Sequence, residues 1–431
     1  MVQGKMTRRK KKMKLSGWIK CFKAAMILFT LIFVLIFASR ALFNMIAGTA
    51  YSASELAEQD LANLIDEARF MFRGHFYEEA LELLASDERF TNQPDVLKLV
   101  HEITFEKENL VLWEGEVRHI FTHSLLLYPE YVFTDLTVPN PHNDYFIFLS
   151  EFKLILPQLL ERGYVLYNVH DVIGRDDAGN LVRNDIYLPP GKMPLIFSLD
   201  DPTLHYGVGF ANRFLIDEKG HLRTEVITPE GNTIITNDGD VQLVLNDFVR
   251  EHPEFSWRGH KGIIAATGFM GIFGYSLDDL ADPVLRAQAD AVIEYLKDTG
   301  WIFASHSYTH NGYGFFGTNT KISNIEWDTR LWQEYMQPVV GETNIFIAPF
   351  GWTLEQGPER NVIINNGFDI YMNVDFNQRI DFFENHVLMG RVEIAGTAMQ
   401  THTNFLNEYF FDVASVIHPH RPPHSSQIAQ E

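Results

Sequence analysis

The sequence has a single cysteine among its 431 residues, Cys21, and it stands before the first long apolar run. Disulfides and cysteine-ligated metals are therefore excluded from everything that follows. Acid is missing from the first 50 residues, which hold 10 of the 35 Lys and Arg and none of the 56 Asp and Glu. The other 25 basic residues face all 56 acids, a net charge of −31 beyond residue 50. A surface of that sign argues against nucleic acid or another polyanion as a partner. No HExxH occurs, so the metalloprotease signature is absent, and the glycine-rich stretches at 268–274 and 312–317 contain no phosphate-loop pattern. What remains, at 46% hydrophobic and 21% charged, is the composition of a folded protein with a large core.

The start of the chain reads as an anchor. Residues 1–23 carry nine Lys or Arg, and Ala24 to Ala38 then runs without a charge, resuming from Ala41 to Ala47 after Arg40. About 20 apolar residues span a bilayer, and the basic flank places the N-terminus in the cytoplasm. A single-pass membrane protein with its bulk outside the cell is expected. A cleaved signal peptide is the alternative, since AGTA at 47–50 offers small residues.

Residues 51–113 form the next segment. Apolar residues recur at three- and four-residue spacing through 52–90, broken at Gly74, and Pro94 opens a further helix through Leu97, Val100 and Ile103. This helix–Gly–helix pattern resembles one tetratricopeptide-type hairpin, and a single unit makes no solenoid. It is read either as a stalk or packing hairpin or as the surface for a protein partner.

Two strands further on carry the chemistry. Met193-Pro-Leu-Ile-Phe-Ser-Leu-Asp-Asp201 is a short apolar run ending in adjacent aspartates. About a hundred residues later Trp301-Ile-Phe-Ala304 ends in Ser305-His306-Ser-Tyr-Thr-His310. In parallel α/β sheets and barrels the C-terminal strand ends face the active site. One Asp with two His makes a donor set suited to Zn²⁺ or a similar divalent ion, and three protein ligands leave a position open for water. The second Asp is then available as the base acting on that water.

These residues resemble the polysaccharide deacetylases of the NodB type. Ser198-Leu-Asp-Asp201 is similar to that family's Thr-Phe-Asp-Asp motif, with Pro202 where a glycine is usual, and His306-Ser-Tyr-Thr-His310 matches its His-Ser/Thr-x-x-His motif. The resemblance covers roughly 117–400. It implies a distorted (β/α) barrel, with Asp200 as catalytic base and Asp201, His306 and His310 as ligands of one divalent ion, Zn²⁺ with Co²⁺ or Ni²⁺ as alternatives. The leader, strand Val117–Leu127, helix Leu149–Arg162 and strand Tyr164–Tyr167, resembles the opening of the poly-N-acetylglucosamine deacetylase branch, which implies His123 as catalytic acid. A hydrogen-bonded core histidine is the other reading of His123.

Departures from the family pattern are specific. Ile345-Phe-Ile-Ala-Pro-Phe-Gly351 resembles its Arg-x-Pro-Tyr motif, but Ile347 stands where the arginine that pairs with the base belongs. Arg391, on the last expected strand, is the cation available in its place. No Leu-x-His follows, which shifts weight to His123. Pro349, Phe350, Trp352 and Arg391 are the expected substrate contacts.

The deacetylase domain is thus expected over 114–417, interrupted by a β-hairpin insertion at about 203–239 whose turns are Asp217–Gly220 and Pro229–Asn232. Residues 418–431, with three Pro and three His, are expected to be a disordered tail. The expected function is metal-dependent deacetylation of N-acetylated amino sugars in a cell-wall or exopolysaccharide glycan. The alternatives are a catalytically impaired glycan-binding module, or a deacetylase or esterase for another acetylated substrate.

Overall fold

The computed structural model describes residues 53–202 and 205–424. The apolar run at 24–47, expected to cross a membrane, lies outside them. Among the described residues no helix is long and apolar enough to do so.

Seven short strands follow one another along the chain: β1 (Arg118–Thr122), β2 (Met193–Asp200), β3 (Gly262–Ala266), β4 (Trp301–Ser305), β5 (Ile345–Ile347), β6 (Ile370–Val374) and β7 (Val387–Glu393). Each pairs in parallel with the next, from β1–β2 round to β6–β7. Val392 and Glu393 of β7 then pair with Ile120 and Phe121 of β1, which closes the ring. A closed parallel ring needs cover on the outside, and its strands read as near-continuous apolar runs because both faces are buried. The helices Leu149–Glu161, Val241–Glu251, Pro283–Asp298, Ile322–Tyr335 and Pro358–Asn365 lie between consecutive strands. The expected (β/α) barrel is present, with seven strands in the ring.

Side-chain alternation along each strand sorts the core into two layers. Leu195, Phe197, Leu199, Ile264, Phe303, Phe346 and Tyr371 pack outward with helix residues such as Phe152, Val292 and Trp332. Ile196, Ile263, Ala265, Ala304, Ile347, Met372 and Met389 fill the other layer. Ser198 and Asp200 share the parity of Ile196, and Arg391 and Glu393 share that of Met389. The strands therefore direct these polar residues to the inside at the C-terminal end of the barrel.

The described chain falls into two compact units, the first ending at Leu64 and the second starting at Ile65. Of the first, only the start of the helix Ala53–Arg73 is described. In the second, Gly74 and His75 (φ 64°) end that helix, and the helices Tyr77–Ala85 and Pro94–Glu108 follow, packed against each other. The turn before them docks on the segment that leads into β3. The His75 ring stacks on Trp257 at 4.7 Å, the Arg258 amide donates to the Gly74 carbonyl at 2.9 Å, and Arg73 meets Glu254 at 2.6 Å.

Two expectations are corrected here. The insertion is a three-stranded antiparallel sheet (Ala211–Ile216, Leu222–Ile227, Thr233–Thr236), not a hairpin; a third strand satisfies the open edge of the second. The tail is not disordered over 418–424, where Arg421 buries its guanidinium against Glu151. Residues 425–431 lie outside the described residues.

Candidate functional site

Asp200 ends β2 and is buried, 2% exposed, so its charge demands a partner. Arg391 of β7 supplies it in a two-pronged pair, Nη1 to Oδ1 at 2.7 Å and Nη2 to Oδ2 at 2.9 Å. The guanidinium is itself fully buried, lies 4.0 Å above the Phe121 ring, and donates to Ser198 Oγ at 3.0 Å. Burial works against the charge on Asp200, but Arg391, helped by His306, outweighs it and holds the carboxyl well below the usual range. Arg391, expected among the substrate contacts and alternatively as the stand-in for the missing arginine, thus sits beneath Asp200 and out of reach of solvent.

Asp201 is the residue just past the strand, and extended backbone would turn it the opposite way. Its φ of 54° prevents this and brings it into the same site. The Thr267 hydroxyl, just past β3, donates to Oδ1. Oδ2 faces His310 Nε2 at 3.3 Å and His306 Nε2 at 3.7 Å. Burial again opposes the charge, and the two imidazoles outweigh it, so Asp201 also lies below the usual range.

The two histidines are oriented from behind. His306 Nδ1 lies 2.8 Å from the Ile347 carbonyl, which only accepts, so Nδ1 carries the proton and Nε2 presents a lone pair. Burial lowers the His306 pKa, against the pull of Asp201 and Asp200. His310 sits on a tight loop in which Ser307 (φ 63°) and His310 (φ 49°) are left-handed. Buried Asp328, on the helix Ile322–Tyr335, pins that loop by accepting from the Tyr308 and Thr309 amides, each at 2.8 Å, and from the Thr309 hydroxyl at 2.7 Å. The Ser307 hydroxyl accepts from the His310 amide at 2.9 Å.

One ligand atom from each of Asp201, His306 and His310 falls within 4.8 Å of the others. Donors around a tetrahedral Zn²⁺ stand roughly 3.4 Å apart, given bonds of about 2.0–2.1 Å. The 3.3 and 3.7 Å separations, the fixed tautomer of His306 and the hydrogen bond holding the far oxygen of Asp201 together fit a divalent ion.

His123 lies immediately past β1, since the strand ends at Thr122. Its Nδ1 is 3.1 Å from the Tyr145 carbonyl and 3.8 Å from Glu393 Oε1, so Nδ1 is the protonated nitrogen and Nε2 is left for chemistry. Burial lowers the His123 pKa, against the pull of Asp200 and Asp201. Glu393 is pushed up to about 8, first by burial and then by the charge on Asp200. At the rim, Phe350 is 58% exposed with its ring 4.5 Å from His310, Trp352 is 39% exposed, and Tyr145 is 48% exposed with its ring 6.0 Å from His123. Pro349 is buried and shapes the turn beneath them.

Asp200, Asp201, His306, His310 and His123 are thus brought to one end of the barrel. Thr267, Asp328, Glu393 and the Tyr145 carbonyl were not expected there. Glu393 carried a signal, because it is two residues beyond Arg391 on one strand and so shares its face. Asp328 carried one too, as an acid on the helix face of Ile325 and Trp332.

No known family's sequence pattern and no characterised protein matches the chain in sequence. In three dimensions it is similar to IcaB from Ammonifex degensii, at 14% identity and a TM-score of 0.37, over 68% of this chain and 97% of that one. It is similar to a de-N-acetylase from Aggregatibacter actinomycetemcomitans at 13% identity and a TM-score of 0.39, over 68% and 100%. It is also similar to the deacetylase PplD from Streptococcus pyogenes, solved with acetate, at 9% identity and a TM-score of 0.36, over 71% and 99%.

Proposed function

We propose that this protein is a metal-dependent deacetylase that removes acetyl groups from N-acetylated amino sugars of a cell-wall or exopolysaccharide glycan. The observation that carries the reading is a carboxylate held ionised by a buried arginine, Asp200 with Arg391, directly beside the Asp201–His306–His310 donor set. A second proton carrier, His123, stands at the same end of the barrel. Membrane anchoring through 24–47, with the barrel outside the cell, belongs to the same proposal.

Asp201, His306 and His310 would hold the ion, with Zn²⁺ the first choice and Co²⁺ or Ni²⁺ as alternatives. When bound, such an ion lowers the pKa of water and polarises a carbonyl oxygen. Asp200 accepts the proton of the attacking water on a carboxylate oxygen, and its grip on Arg391 fixes where that oxygen points. His123, in its cationic form, delivers a proton from Nε2 to the amine nitrogen as the C–N bond breaks. That step completes the acid–base pair amide hydrolysis requires. Phe350 and Trp352 offer exposed rings for sugar faces at the mouth.

Asp200→Asn tests this directly, because the amide keeps the shape and gives up the base. Acetate release from an N-acetylglucosamine oligomer is expected to fall about 10²–10⁴-fold while bound metal stays near wild type. Full activity with metal in place would remove Asp200 from its role.

A further inference from the structure

His123 is positioned from outside the barrel, and the chain of contacts leads to the C-terminal segment. The segment 141–148, a short helix (Pro141–Tyr145) and the residues after it, carries Tyr145, whose carbonyl accepts from His123 Nδ1. On both sides of Tyr145 that segment is gripped by Arg421. Its Nη1 donates to Asn143 Oδ1 at 2.7 Å, its Nη2 to the Phe146 carbonyl at 3.1 Å, and its guanidinium stands 4.1 Å above the Phe148 ring. Glu151, in the first turn of the helix Leu149–Glu161, anchors the arginine. Oε1 accepts from Arg421 Nε at 2.7 Å and from the His418 amide at 2.8 Å, and Oε2 pairs with Nη2 and accepts from the Phe148 amide at 2.7 Å. Asn143 Nδ2 and Gln400 Nε2 both donate to the Pro422 carbonyl, at 3.3 and 3.0 Å.

The strap leaves no slack. The side chains of Arg421 and Glu151 are 2% and 1% exposed. A Cβ on Gly396 would come within 2.1 Å of Arg421 Nη1 and 2.2 Å of Asn143 Oδ1, so only glycine lets the segment lie down there. Tyr145 itself is half exposed, with its ring edge-on to His123 at 6.0 Å.

We propose that Arg421 is a positioning residue for His123: by clamping Asn143 and Phe146 it sets the Tyr145 carbonyl that fixes the tautomer and direction of the imidazole. The inference rests on the deacetylase reading for its kinetic consequence, and on geometry alone for its structural one. It predicts that losing the strap harms proton delivery to the leaving group while sparing water attack.

The test uses the full chain as Arg421→Ala, Arg421→Lys and Gly396→Ala, the last keeping the arginine and displacing it. Each is assayed on an N-acetylglucosamine oligomer and on an aryl acetate ester, whose phenolate leaves without a proton. In parallel, the ¹⁵N shifts of the His123 ring report its tautomer. Arg421→Ala and Gly396→Ala are expected to lower kcat on the amide about tenfold or more, with KM little changed. The ester should be turned over within about twofold of wild type, and Arg421→Lys should recover part of the amide loss. The His123 ring is expected to shift from the Nδ1-protonated form to a tautomeric mixture. Equal losses on both substrates, or an unchanged His123 tautomer, would overturn the proposal. A wild-type protein that releases no acetate sinks the deacetylase reading instead, and the tautomer measurement still decides the role of the strap.

Discussion

Two buried arginine–carboxylate pairs hold the working end of this barrel, and they are built alike. Arg391–Asp200 and Arg421–Glu151 are both two-pronged, both sealed from solvent, and both lie on a phenylalanine ring, at 4.0 and 4.1 Å. They differ in what else the carboxylate does. Glu151 spends its remaining acceptor capacity on the Phe148 and His418 amides, so every direction is filled by the protein. Asp200 has Arg391 beneath it and His306 Nε2 3.9 Å away, and it borders the donor set. A buried ion pair is weak evidence for stability, since desolvation opposes it. Here the satisfied pair reads as architecture and the unsatisfied one as chemistry.

The largest effect is expected at Arg391→Ala. Removing one partner of a buried pair costs about 3–5 kcal/mol of stability, and it also leaves burial as the dominant influence on Asp200. The Asp200 pKa should rise, so the acid limb of the activity profile should move toward neutrality, with kcat at pH 7 falling about 10²-fold or more. In wild type the depressed pKa adds stability above the ordinary carboxylate value of about 3.9, and that stability is lost as pH falls below it. The variant should lack this acid-side dependence in a melting-temperature series. An unmoved acid limb would mean that Arg391 does not tune the base.

Glu151→Gln sharpens the contrast. It should cost a similar 3–5 kcal/mol, because Arg421 is left buried and unpaired, yet turnover of an aryl acetate ester per folded molecule should hold within about twofold. A selective loss of ester turnover would erase the distinction between the two pairs.

The smallest effect is expected at Glu393→Gln. Glu393, pushed up to about 8, is neutral at pH 6 and must ionise in a mostly enclosed place at pH 9. Stability tied to its neutral form is therefore present at low pH and lost as pH rises through about 8. The glutamine variant should gain melting temperature relative to wild type between pH 6 and 9, and parallel curves would refute the raised pKa.

What was legible in the sequence were the features a strand writes locally. The runs ending in Asp200-Asp201 and His306 carry both their burial and their polar ends within nine residues, so the barrel was legible and the grouping of Asp201, His306 and His310 could be expected. Arg391 could be named only as a substitute cation or a substrate contact, because it meets Asp200 across 191 positions, through closure of β7 on β1. The left-handed turn at Asp201 left no mark, since aspartate is common in strands' ends and turns alike. The tail misled outright. Three prolines and three histidines read as disorder, whereas Arg421 answers a buried acid 270 positions earlier in the helix Leu149–Glu161. A charge inside LSEFKLIL was the visible half of that pair.

The ring has one thin seam. Among the described residues β4 and β5 pair only at Ser305 and Phe346, and just beyond that point His306 reaches across to the Ile347 carbonyl. The side chain that offers a donor to the site is thus also a rivet between two staves. An occupied site would hold the imidazole still and keep the staves together; an empty one would let them breathe. The barrel's resistance to amide exchange at Phe346 and Ile347 should then act as a gauge of occupancy, read from the wall and not from the mouth.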